Sequence, residues 1–128
     1  MGGYKFENFS NGEIDYSKNN IAGIPNSFHK LSLNYTNDKG MNLVISWKRV
    51  GKIYTNNSNT SLVTGYNLIN FNFSKKVFLF GLDVTPFLAI GNLLNEKYID
   101  NIRINAFGSR FYEAAPKINF VSGIKFNL

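Results

Sequence analysis

Pro116-Lys117-Ile118-Asn119-Phe120-Val121-Ser122-Gly123-Ile124-Lys125-Phe126-Asn127-Leu128 is the stretch on which the reading of this chain turns. Ile118, Phe120, Ile124, Phe126 and Leu128 recur at every second position, broken only by Ser122, while Lys117, Asn119, Lys125 and Asn127 lie between them. Successive side chains of a strand point to opposite faces, so the segment predicts a strand with one apolar and one polar side that stops on an apolar residue. Two architectures use that pattern. One is a membrane-spanning β-barrel, apolar toward lipid and polar toward the lumen; the other is an antiparallel soluble sandwich with one solvated face.

The same alternation recurs upstream. Leu31, Leu33 and Tyr35 share a face opposite Lys30, Ser32, Asn34 and Thr36, and Met41, Leu43, Ile45 and Trp47 share one opposite Asn42, Ser46 and Lys48. Between them Asn37-Asp38-Lys39-Gly40 has the composition of a tight hairpin turn. Tyr4 to Phe9 reads as a first strand, Gly65 to Phe73 as a fourth and Leu82 to Leu94 as a fifth, with the turn between the last two falling either at Ser74-Lys75-Lys76 or near Gly81. Pro86 lies inside the fifth and predicts an edge, a bulge or a later start. No helical periodicity competes. The fold class expected is therefore all-β: an antiparallel up-and-down meander of about six strands.

Loop lengths add an independent pattern. Long connections, Ser10–Pro25, Thr55–Leu62 and Asn95–Ala115, alternate with short ones, Asn37–Gly40 and the turn after Phe73. Outer-membrane barrels pair short periplasmic turns with longer extracellular loops, whereas a sandwich has no reason to lengthen every second connection. The polar face is built mostly from Asn, Ser and Thr, within a total of twenty Asn, and not from charged residues.

Composition narrows the chemistry. At 128 residues, 44% hydrophobic and 16% aromatic, the chain has the size and apolar content of one ordered domain. It has no cysteine and one histidine, His29, so neither a thiolate nor a paired-histidine metal site can be built, and no nucleophile–base pair suggests a hydrolase. We expect no catalytic residue, no metal ligand and no cofactor. The net charge of +6 comes from basic residues scattered singly apart from Lys48-Arg49 and Lys75-Lys76, a distribution that gives no stripe for nucleic acid. No apolar run reaches the roughly 18 residues of a membrane helix, and the residues after Met1 lack the profile of a secretory signal. If the protein works outside the inner membrane, its beginning is expected to lie elsewhere.

Four segments carry a resemblance. Asn92-Leu93-Leu94-Asn95-Glu96-Lys97-Tyr98 resembles the Asn-Leu-Phe-Asn/Asp-x-x-Tyr segment near the end of TonB-dependent outer-membrane receptors. Ile21-Ala22-Gly23-Ile24-Pro25 before a strand, Tyr54-Thr55-Asn56-Asn57-Ser58-Asn59-Thr60 in a loop and Arg110-Phe111-Tyr112-Glu113-Ala114-Ala115-Pro116 before the last strand resemble the same family in the same order. Lys117-Ile118-Asn119-Phe120 stands where the family often has Gly-Arg-Asn-Phe, and Leu128 where it has a terminal Phe.

The resemblance implies that residues 1–128 are the carboxyl-terminal part of a transmembrane barrel of about twenty-two strands, with the plug domain and TonB box outside them. It further implies active uptake of a scarce ligand such as a ferric siderophore, and location in the bacterial outer membrane. Expected partners are outer-membrane lipid, the rest of the barrel and plug, the TonB complex and the barrel-assembly machinery, the last through Phe120, Ile124, Phe126 and Leu128. Arg103, Arg110 and Tyr112 are the candidate ligand contacts, since arginine suits anionic chelates. Trp47, Tyr54, Tyr66, Tyr98 and Tyr112 lie near predicted strand ends, where barrels carry aromatic girdles. The alternative is a small self-contained β module that binds a ligand or adheres.

Overall fold

The computed structural model describes residues 4–105, 107 and 112–127. Its strands in chain order are β1 (Ser10–Asn11), β2 (Ile14–Asp15), β3 (Phe28–Thr36), β4 (Met41–Val50), β5 (Ile53–Tyr54), β6 (Leu62–Val63), β7 (Tyr66–Lys75), β8 (Val77–Leu79), β9 (Leu82–Gly91), β10 (Ile99–Ile102), β11 (Tyr112–Ala114) and β12 (Asn119–Asn127). No α-helix occurs among the described residues.

The long strands form one sheet in the order β12-β9-β7-β4-β3, with β8 paired to β9. Sequence neighbours are thus spatial neighbours throughout, an antiparallel meander without a crossover. The sheet is open, with β3 and β12 at its edges. Asn37-Asp38-Lys39-Gly40 makes the turn expected of it: the Asn37 amide donates to the Met41 carbonyl, and Gly40 adopts φ 72°, a left-handed conformation glycine enters freely.

Two expectations for this sheet need correction. Tyr4–Phe9 is not one of its strands. The segment bonds locally, with Lys5 bridged to Asn20 and the Phe6 amide donating to the Asn19 carbonyl, while Phe6 and Phe9 stack their rings at 4.5 Å. The second concerns Pro86, which lies in the interior strand β9 and not at an edge. The pairs Ser74↔Phe87 and Val77↔Val84 share one register, which makes β7 and β8 a single line broken at Lys76. That register sets Pro86 opposite Lys75, beside the break, while on the other side β12 pairs through it without interruption at Ile124.

Register fixes the faces. Phe71 pairs with Ile90 and Ile90 with Phe120; Leu88 joins Phe73 to Ser122; Ile124 lies opposite Pro86 and Phe126 opposite Val84. These residues form one apolar side. Asn42, Val44, Asn72, Phe73, Ser74, Phe87, Leu88 and Ala89 line a shallow depression of about 160 Å³. The Lys76 amide donates to the Gly40 carbonyl, and antiparallel pairing continued from that level sets Asn42 beside Ser74 and Leu43 beside Phe73, so Met41, Leu43, Ile45 and Trp47 lie on the apolar side.

The chain forms two compact units. One comprises Lys30–Lys48, Asn67–Glu96 and Pro116–Leu128 and holds most of the sheet. Every residue of β3 is exposed, including Leu31 at 57%, Leu33 at 63% and Tyr35 at 52%, and so are Phe120, Ile124 and Phe126 on β12. Among the described residues no second layer covers these side chains, so the sandwich alternative has no support in the packing. The other unit, Met1–His29, Arg49–Tyr66 and Lys97–Ala115, carries three two-stranded ladders, β1-β2, β5-β6 and β10-β11. It buries Ala22, Val50, Ile53, Val63 and Tyr66 in a small core of its own.

Candidate functional site

The segment Asn92–Tyr98 begins where β9 ends. Asn92 is 3% exposed with φ 52°. Asparagine tolerates this left-handed conformation better than most residues because its short side chain bonds its own neighbourhood. Its Oδ1 accepts the Glu96 N–H at 2.8 Å, its Nδ2 donates to the Glu96 carbonyl at 2.8 Å and to the Pro116 carbonyl at 3.3 Å, and its backbone amide donates to Asn70 Oδ1 at 3.0 Å. Asn95, also left-handed at φ 52°, accepts the Ile118 amide through Oδ1. Asn92 thus ties the loop after β9 to the approach to β12 through its side-chain amide, and to β7 through its backbone N–H. In the other unit the Tyr98 ring packs on Tyr66 at 4.5 Å. Burial pushes the Tyr98 phenol above its ordinary value, and the Asp100 carboxylate adds to the shift.

The connection Asn95–Ala115 contains a hairpin of its own, β10 with β11, in which Ile99 pairs with Ala114 and Ile102 with Tyr112. Arg103 stands on it, 71% exposed, with its guanidinium 3.5 Å from Glu113 Oε1, while the Asn101 side chain donates to Glu113 Oε2 at 3.4 Å. Both contacts are long and solvated, and such pairs hold a side chain weakly. Of the other candidate contacts, Tyr112 belongs to β11 and Arg110 lies outside the described residues. Phe120, Ile124 and Phe126 project from the apolar side of β12, 76%, 58% and 59% exposed, and Leu128 lies outside the described residues. Among the described residues no three acidic or histidine side chains converge as a metal site would require.

The composition showed abundant asparagine but not its placement. Asn20 and Asn59 exchange bonds, the Asn20 amide donating to Asn59 Oδ1 at 2.7 Å and Asn59 Nδ2 donating to the Asn20 carbonyl at 2.8 Å. The Asn57 amide donates to Asn105 Oδ1, and the Asn105 amide to the Thr55 carbonyl. Three connections of this unit are therefore stitched together by amides that alternation alone does not reveal.

No protein-family model matches the sequence. Among solved structures, the chain is similar to the ferric preacinetobactin receptor BauA of Acinetobacter baumannii, with a TM-score of 0.68 and 21% identity. The similarity covers 87% of this chain and 16% of the receptor chain. At that identity the likeness is one of fold: the open antiparallel meander and its connections have a counterpart in a siderophore receptor.

Proposed function

We propose that this chain supplies strands of the β-barrel of a TonB-dependent outer-membrane receptor, a transport protein and not an enzyme, that takes up a ferric siderophore or another scarce ligand. The observation that carries this reading is a single-layer sheet whose apolar side is uncovered, in a chain that matches part of a ferric siderophore receptor over 87% of its length. Leu31, Leu33, Tyr35, Phe120, Ile124 and Phe126 are all exposed on this sheet, and contiguous apolar surface of that kind is rare on soluble monomers; facing lipid, the same side chains are in their preferred medium. The free edges β3 and β12 ask for further strands, because lipid cannot satisfy bare backbone groups.

In this arrangement the polar side, with Asn42, Asn72, Ser74, Thr85 and Lys125, faces the barrel interior and the plug. The hairpin β10-β11 lies among the external loops, where Arg103, Arg110 and Tyr112 would meet an anionic chelate. Energy would come from TonB acting on the plug, and the barrel-assembly machinery would recognise the end of β12.

The test is fractionation and uptake in the producing bacterium under iron limitation. The protein should be found in the outer membrane, and its deletion should abolish proton-motive-force-dependent uptake of at least one radiolabelled ferric chelate. Recovery in a soluble fraction, with uptake of every chelate intact, would overturn the proposal in favour of a self-contained β module.

A further inference from the structure

The hairpin β1-β2 carries the chain's one Asn-Gly step, Asn11-Gly12, among its twenty asparagines. An asparagine followed by glycine is the pairing most open to attack of the main chain on the side-chain amide, because glycine puts no Cβ in the way of its own nitrogen. The surroundings leave that path clear. Every residue of β1 and β2 is exposed, and a Cβ built at Gly12 would meet nothing within 4 Å. The Asn11 side chain has no hydrogen-bond partner among the described residues, whereas the side-chain amides of Asn37, Asn56, Asn59, Asn92 and Asn105 each accept a backbone N–H.

The ladder around Asn11 is short. Ser10 pairs with Asp15 and Asn11 with Ile14, leaving Gly12-Glu13 as the turn, with Gly12 at φ 63°. One rung below, the Tyr16 amide donates to the Phe9 carbonyl and the two rings stack at 5.8 Å. The base of the hairpin is therefore held by its aromatics and the tip only by two solvated rungs. A two-stranded ribbon of that size is marginal in water, and fraying ends open at almost no free-energy cost. Opening lets the ψ angle of Asn11 leave the extended value of a paired strand and bring the Gly12 nitrogen against Cγ.

We propose that Asn11 is a self-modification site, an amide that the chain's own backbone converts to a carboxyl when the hairpin tip opens. The Gly12 nitrogen gives up its proton and bonds to Asn11 Cγ, the Cγ–Nδ2 bond breaks, and ammonia leaves with that proton, closing a five-membered imide. Water then opens the ring. Cleavage of the new bond gives aspartate; cleavage of the original peptide bond gives isoaspartate, in which the main chain runs through the former side chain. No electrons are gained or lost, and water is the only co-reactant. Either product adds a negative charge beside Glu13 and Asp15 and lowers the formal net charge of +6 by one. Isoaspartate also lengthens the main chain by a methylene and takes this position out of register with Ile14. The hairpin tip thus records the age of the chain.

The full chain is held in detergent micelles at mildly alkaline pH, which favours loss of the amide proton, and sampled over days by peptide mapping with mass spectrometry that separates aspartate from isoaspartate. A parallel sample is unfolded in guanidinium chloride. The expected result is loss of the Asn11 amide before that of Asn26 or Asn57, the two asparagines followed by serine. Its rate should lie within about tenfold of that in the unfolded sample, which corresponds to an opening cost of at most about 1.4 kcal/mol. Ser10→Cys with Asp15→Cys places a disulfide across the ladder, and the oxidised form should lose the amide more slowly than its reduced form. An Asn11 amide that persists in the folded chain as long as those of Asn26 and Asn57 would overturn the proposal. Equal rates in the oxidised and reduced forms would overturn it as well, because the reaction would then not need the tip to open.

Discussion

The side chain of Asn92 bonds both backbone groups of Glu96, accepting its N–H and donating to its carbonyl, each at 2.8 Å. The amide is nearly fully buried and also reaches the Pro116 carbonyl, so its removal orphans groups on two segments at once. Leaving buried polar groups without partners costs about 1–3 kcal/mol each. Asn92→Ala should therefore destabilise the fold by about 2–3 kcal/mol, measured by urea unfolding in detergent micelles followed through Trp47 emission. Asn92→Asp keeps the acceptor toward Glu96 N–H but loses the donor, and should also be destabilising. A loss below roughly 0.5 kcal/mol for both variants would show that this amide does not hold the loop.

The hairpin β3-β4 and the strand β12 were legible because each depends only on alternation over neighbouring residues and on the Asn37–Gly40 turn, and a single-layer sheet leaves that alternation undisturbed. The role of Asn92 was not legible. Its partners, Asn70, Glu96 and Pro116, are set by three separate segments, and nothing in Asn-Leu-Leu-Asn marks one amide as buried. Tyr4–Phe9 misleads for a related reason: its aromatic spacing suits a strand, but Phe6 and Phe9 stack on each other in a local fold. Val77–Leu82 lacks alternation, so the sequence left the turn open between Ser74-Lys75-Lys76 and Gly81, and the left-handed pair Phe80-Gly81 places it at the second. Of the candidate ligand contacts, the sequence offered residue types but not the β10-β11 pairing that sets Arg103 beside Glu113.

Gly123 on β12 pairs with Phe87 on β9, and a Cβ at Gly123 would lie 2.8 Å from two ring carbons of Phe87. The absence of a side chain lets the ring lie over the backbone of the neighbouring strand. Gly123→Ala should destabilise by about 1–3 kcal/mol, the usual range for overpacking. The double variant Gly123→Ala with Phe87→Ala should be less destabilised than the sum of the two single changes, since the clash requires both partners. Strict additivity in denaturant titrations would mean that the ring moves aside at no cost.

Alkaline pH should weaken the Tyr98 contact. Burial, with a lesser contribution from Asp100, raises the phenol above its ordinary 10.0, so the folded chain holds this proton more tightly than the unfolded one. The Tyr98 contribution to stability is then complete below about pH 10 and disappears as pH rises through the folded value. Difference absorbance titration of the chain against Tyr98→Phe should show a phenol titrating later than free tyrosine, and Asp100→Asn should bring it part of the way back. A phenol titrating at the ordinary value in the folded chain would contradict the burial seen here.

The last expectation concerns the two edges. β3 ends the sheet on one side with nine exposed residues, and β12 ends it on the other with Phe120, Val121, Ile124 and Phe126 exposed. Open edges carry rows of unpaired N–H and C=O groups that template pairing with other chains, and the uncovered apolar side adds a non-directional drive to associate. In water, residues 1–128 should therefore aggregate, and in detergent they should disperse with the sheet intact by circular dichroism. Charges placed on the apolar side, as in Leu33→Lys with Ile124→Lys, should improve solubility in water while reducing recovery in lipid vesicles, because lysine facing lipid near the bilayer midplane costs about 2–4 kcal/mol. Size-exclusion chromatography without detergent decides the matter: a monodisperse monomer that unfolds cooperatively on heating would mean that the sheet needs neither lipid nor further strands, and the barrel reading would have to be abandoned.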